Sequence, residues 1–128
     1  MFMLICLQLD QGTAGTAETV YATIPTGGAS KWVVRGAEFQ PDTNRTADNT
    51  DYATVAVKVG STTLGSFTTQ ITGNGNLTAG TPVAFTLTGA EAAPHTAGDS
   101  HINVAVTKAG SGLAVTGIVT LLVEAVRA

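Results

Sequence analysis

Apolar and polar side chains alternate residue by residue along much of this chain. In "YATVAVKVG" (52–60), Ala53, Val55, Val57 and Val59 fall on one side of an extended backbone, and Tyr52, Thr54, Ala56 and Lys58 on the other. In "TPVAFTLTG" (81–89), Val83, Phe85 and Leu87 alternate with Ala84, Thr86 and Thr88. In "SHINVAVTK" (100–108), Ile102, Val104 and Val106 alternate with His101, Asn103, Ala105 and Thr107. A period of two marks half-buried β-strands, because successive side chains of an extended chain point to opposite faces. Threonine recurs at the outward positions, as suits an antiparallel sheet with one wet face. Weaker strand patterns run over 18–24, 31–39 and 63–71, and Gly-, Asn-, Asp- and Pro-bearing turns separate the strands. No window of the main body carries a good apolar period of 3.6. The pattern predicts an all-β domain, an antiparallel β-sandwich of jelly-roll type with seven or eight strands. Its predicted core is Val55, Val57, Phe85, Leu87, Ile102, Val104, Val106, Val119, Leu121 and Val123.

The two ends depart from this pattern in the same way. In "LAVTGIVTLLVEAV" (113–126), Leu113, Val115, Val119, Leu121 and Val123 form one face, while Ile118, Leu122 and Val126 lie on the other. A strand that is apolar on both faces is either central or covered by another chain. In "MFMLICLQL" (1–9), Phe2, Leu4, Cys6 and Gln8 alternate with Met3, Ile5, Leu7 and Leu9, again with apolar side chains on both faces. This start has no basic region before it and is too short to cross a bilayer. It reads as an extended arm docked on protein, either on its own sheet or on a neighbouring subunit. "DQGTAGTAE" then links it to the sandwich. The predicted division is an arm and linker over 1–17 and a sandwich over 18–128.

Composition narrows the function. Charged residues make up 12% of the 128 residues, about half the usual share of soluble domains. A neutral surface of this kind suits a protein partly covered by other protein. The six Lys and Arg residues are scattered and the net charge is -3. Phosphate binding needs clustered cations, so nucleic acid is not expected as a partner, and neither is a membrane. Cys6 is the single cysteine, so neither an intrachain disulfide nor a cysteine zinc site can form; it reads as a small buried hydrophobe.

No set of residues suggests catalysis. His95 and His101 are the two histidines. In "HTAGDSH", Asp99, Ser100 and His101 are neighbours at a strand entry, where alternation points Ser100 away from the other two. "DTNRTADNTD" (42–51) places oxygen side chains at alternate positions, but a calcium loop of the EF-hand kind needs Gly and Glu where Ala47 and Ala53 stand. An Asx-rich turn is the simpler reading, with Asp42, Asp48 and Asp51 as the residues an irregular cation loop would use. The acceptor patterns at Asn44 and Asn76 lack a visible export signal. No catalytic, cofactor or metal residues are assigned. The residues expected to touch other protein are Phe2, Leu4, Ile5, Leu7, Trp32, Arg35, Ile118 and Leu122. For Trp32, filling the sandwich core is favoured over contact with other protein.

The second half has a distinctive layout. "VAFTLTG" is followed by "HTAGDSHINVAV", a glycine turn "KAGSGLA" and the long apolar strand "TGIVTLLVEAV". With "NTDYATVAVKVGSTTLGSFTT" upstream, residues 31–126 resemble the small jelly-roll structural proteins of tailed bacteriophages, the capsid decoration or cement proteins. The resemblance implies a non-enzymatic virion protein on the outer capsid surface, a homotrimer that binds the major capsid protein. Two other classes fit a β-sandwich. A receptor- or glycan-binding head-fibre or tail module would show exposed aromatic side chains over a polar groove. A secreted carbohydrate-binding or adhesive domain would need an export signal.

Overall fold

The computed structural model of the protein describes residues 2–10, 17–22, 31–73, 75–87, 95–96 and 102–126. Among the described residues, ten strands are formed: β1 (Phe2–Asp10), β2 (Glu18–Ala22), β3 (Lys31–Pro41), β4 (Tyr52–Val59), β5 (Thr62–Thr68), β6 (Val83–Ala84), β7 (Thr86–Leu87), β8 (His95–Thr96), β9 (Ile102–Ala109) and β10 (Thr116–Val126). They make two antiparallel sheets packed face to face, a β-sandwich. The first sheet runs β1-β10-β3-β6, with β8 also on β3, and the second runs β2-β9-β4-β5-β7. The pairing is nested. β1 pairs with β10, β2 with β9, β3 with β8 and β4 with β5, as in one long hairpin folded over on itself. Contacts between successive turns of that hairpin, β10 with β3 and β9 with β4, join these pairs into sheets, to which the short β6 and β7 add beside β3 and β5.

The core lies between the sheets and follows the alternation. Val55, Val57, Ile102, Val104, Val106, Phe85, Val119, Leu121 and Val123 are buried as expected, and Leu87 is partly buried against them. Leu9, Phe39, Leu64 and Val115 join them without solvent contact. Phe67 links Phe39 and Phe85, with ring centroids 5.5 and 5.1 Å away, within the range of favourable aromatic pairs.

Bulges and crossings account for the departures from strict alternation. Leu64 and Phe67 are three apart, which in a plain strand would put them on opposite faces. The β4–β5 register shifts between Val57 and Lys58, so Leu64 is an extra residue on β5 and both side chains turn inward. "TPVAFTLTG" is two short strands. Val83 pairs with Phe39 in the first sheet and Thr86 with Ser66 in the second. Phe85 sits at the crossing, its N–H donated to the Ala37 carbonyl at 3.0 Å. Asn103, expected outward on a wet face, is buried, and its Nδ2 donates to the Gly60 carbonyl at 3.0 Å. That bond secures the β4–β5 turn, where Gly60 adopts φ 58°. Gly117 opens β10 with φ 151°. A Cβ there would strike the Gln40 carbonyl oxygen and approach the Phe39 ring to 2.8 Å.

The arm expected over 1–17 is not separate across Phe2–Asp10. Those residues pair with β10 along their whole length, from Phe2 opposite Glu124 to Asp10 opposite Thr116. Leu7 and Leu9 are buried in the sandwich core. Of the two docking sites foreseen for this segment, the structure has its own sheet. The segment is apolar on both faces because one face fills the core and the other lines the outside of the sheet.

Candidate functional site

The two outer faces of the sandwich differ. The second sheet presents Thr19, Tyr21, Thr54, Lys58, Ser66 and Thr107, a polar surface. The first sheet presents large apolar side chains. Its outward rows can be read across the register: Phe2 beside Glu124, Leu4 beside Leu122 and Gly36, Cys6 beside Thr120 and Glu38, Gln8 beside Ile118 and Gln40. Phe2, Leu4 and Ile118 are 59%, 66% and 47% exposed. Arg35 is the extra residue of a bulge between β3 and β10, and its guanidinium pairs with Glu124 at 2.9 Å. An exposed pair of this kind contributes about 0–1 kcal/mol; here it orients the two charged side chains at the Phe2 end.

A groove of about 490 Å³ lies in this face, lined by Leu4, Gly36, Glu38, Ala84, Leu87 and Leu122 among others. Small residues create it. Gly36 offers no side chain, and a Cβ there would meet nothing nearer than Leu122 Cβ at 3.9 Å. Leu4 and Leu122 form its apolar wall, and Glu38 is an exposed carboxylate beside it.

Of the residues expected to touch other protein, Phe2, Leu4, Arg35, Ile118 and Leu122 share this face. Ile5 and Leu7 do not. They alternate with Phe2 and Leu4, so they point inward, Leu7 buried in the core and Ile5 packed against it. The Trp32 side chain lies outside the described residues, although its backbone pairs with His95. Cys6, expected to be buried, is exposed on the same face, with Sγ 3.9 Å from Thr120 Oγ1. Asp99, Ser100 and His101 lie outside the described residues.

The Asx-rich segment 42–51 is a hub of hydrogen bonds. Asn44 Oδ1 accepts from Ala79 N–H at 2.8 Å, and Asn76 Oδ1 accepts from Ala47 N–H at 2.7 Å. Asn49 Oδ1 accepts from Ile71 N–H at 3.1 Å, and Asp51 Oδ1 from Ser111 N–H at 2.7 Å. Asp48 Oδ1 accepts from Thr50 and Asp51 N–H at 2.6 and 2.8 Å. These bonds tie three loops together at one end of the sandwich. The Thr116 hydroxyl, and after it that of Thr43, hold the Asp42 carboxyl below its ordinary pKa. The N–H groups of Asp51 and Thr50 do the same for Asp48. Among the described residues, no three His, Cys, Asp or Glu side chains stand together as metal ligands would. Among the same residues, no helix is long and apolar enough to cross a membrane.

No protein-family model matches the sequence, and no curated protein matches it.

Proposed function

We propose that this chain is a non-enzymatic structural protein of a virion, a capsid decoration or cement protein bound to the outer surface of a phage head through the outer face of its first sheet. The observation that carries the reading is that exposed face. Phe2, Leu4 and Ile118 are exposed on one sheet face, and Leu4 with Leu122 walls a groove in it. Large apolar side chains held exposed on one sheet face mark a candidate protein-contact site. The nested strand pairing supports the jelly-roll part of the reading, because a jelly roll is a long hairpin wrapped into two facing sheets. The resemblance over 31–126 points the same way, as does the low charge of the surface. The major capsid protein is the partner this face would meet, with further copies of the chain, as a homotrimer, at its margins. A glycan-binding module would instead need exposed aromatic rings over a polar groove; aliphatic walls at Leu4, Leu87 and Leu122 favour protein side chains.

Co-sedimentation with empty phage heads assembled without the protein tests the reading. The wild-type chain should saturate the heads and raise their resistance to heat. Ile118→Asp, folded by circular dichroism, should lose occupancy. Failure of the wild type to bind heads, together with retention on a glycan array, would replace this reading with the glycan-binding one.

A further inference from the structure

We propose that the open edge of β1 is where two copies of this chain meet, by antiparallel pairing of β1 with β1 of the second copy. The direction of the backbone groups carries the inference. Asp10 N–H turns away from β10 and is accepted by both oxygens of the Glu18 carboxylate, at 3.1 and 3.3 Å. Thr116, opposite Asp10, turns the other way and gives its carbonyl to Asp42 N–H at 3.2 Å. Asp10 and Thr116 are thus a pair without hydrogen bonds between them. Such pairs alternate with bonded pairs along an antiparallel ladder. Gln8, Cys6, Leu4 and Phe2 follow at steps of two in unbroken register. Their N–H and C=O groups therefore point off the sheet as well. Among the described residues, no strand pairs with this edge.

Folded proteins protect such edges with charge, proline, a bulge or shortness. β1 has nine residues, no proline, no charge before Asp10 and no register shift against β10. A strand added beside it would continue the row Phe2, Leu4, Cys6 on one face and the row Met3, Ile5, Leu7 on the other. Its inner row must be uncharged and apolar, since a charge there would be buried without a counter-charge, and apolar side chains in its outer row would shield the exposed Phe2 and Leu4. Among the described strands, β1 itself is the exposed one that meets this demand. Antiparallel self-pairing also separates the carboxylates. It puts Asp10 and Glu18 of the two copies at opposite ends of a ladder about 30 Å long, whereas parallel pairing would bring all four together. A two-fold axis normal to the sheet keeps inner rows with inner and outer with outer. One sheet then runs through both copies. Cys6 lies near the axis: with Leu4 opposite Gln8, the two Cys6 residues face each other at a Cα separation of about 5.5 Å.

The proposal concerns the protein in solution and does not rest on the phage-head reading. A two-fold contact gives dimers, or hexamers where a three-fold contact is also made. Sedimentation equilibrium of the wild-type chain is expected to show one of these even-numbered masses. Leu4→Pro removes an outward N–H that the fold does not use, and Leu4→Lys places like charges on both strands while leaving the backbone whole. Each should halve the mass while the melting transition is kept; if the proline variant fails to fold, the lysine variant decides. A short thiol-to-thiol crosslinker should join wild-type pairs through Cys6 and leave Leu4→Lys unjoined. A wild-type monomer, an odd-numbered assembly, or an unchanged mass for Leu4→Lys would overturn the proposal.

Discussion

Thr69 has no solvent contact, yet all its polar groups are engaged. Its hydroxyl accepts from Ala53 N–H at 2.9 Å, its N–H donates to the Ala53 carbonyl at 3.0 Å, and its carbonyl accepts from Asp48 N–H at 3.1 Å. Thr69→Val keeps the shape and leaves Ala53 N–H buried without a partner. Urea unfolding should show a loss of about 1–3 kcal/mol. Asp42 and Asp48 act through charge instead. Both carboxyls titrate below the ordinary value of 3.8 in the folded chain. Their stabilisation is present above the unfolded value and disappears as pH falls through the lower, folded one. The melting temperature should therefore hold from neutrality down to about pH 4 and fall below it. Asp42→Asn should flatten that acid limb. The Val, Ile and Leu positions of the core were legible as single residues because hydropathy alone decides them. Asn103 and Cys6 were not. Asn103 is buried by a bond to a carbonyl 43 positions away, and Cys6 is exposed because its face of the sheet is the outer one.

At the scale of elements, strands were legible wherever the period of two ran unbroken, as in β4 and β9. It fails at the β5 bulge, at the Phe85 crossing and at the two-residue β8, where too few positions repeat to show a period. β1 was legible as a strand with its own sheet as one of two docking sites, but not as a strand that fills the core with Leu7 and Leu9. Alternation says that two faces exist and not which one is inside. The structure separates them, and mutation can check the result. Leu9→Ala should cost about 2–5 kcal/mol, as for a large core residue, while Leu4→Ala should change stability by no more than about 0.5 kcal/mol. Deletion of residues 1–9, harmless for a detachable arm, should abolish the cooperative melting transition. It removes Leu7 and Leu9 from the core and leaves the apolar β10 at an edge.

For the molecule as a whole, the sandwich class could be read from strand count and turn spacing. The order of strands could not, since pairing joins positions more than a hundred residues apart and no local pattern encodes it. The candidate face was half legible for the same reason. Ile118 and Leu122 showed a second apolar surface on the last strand, but the register that sets them beside Leu4 and Gly36 is a property of the fold. That register also has a consequence in time. Phe2 lies opposite Glu124, and Asp10 opposite Thr116. β1 therefore leaves the ribosome long before its partner, by roughly 5–25 s at ordinary rates of synthesis. Through that interval an uncharged apolar segment waits unpaired, in the form most prone to β-aggregation. A circular permutant carrying residues 2–10 directly after β10 would shorten the wait to the length of a hairpin turn, because Glu124 already lies opposite Phe2. Expressed warm, that permutant should give more soluble protein than the natural order, with the same melting temperature.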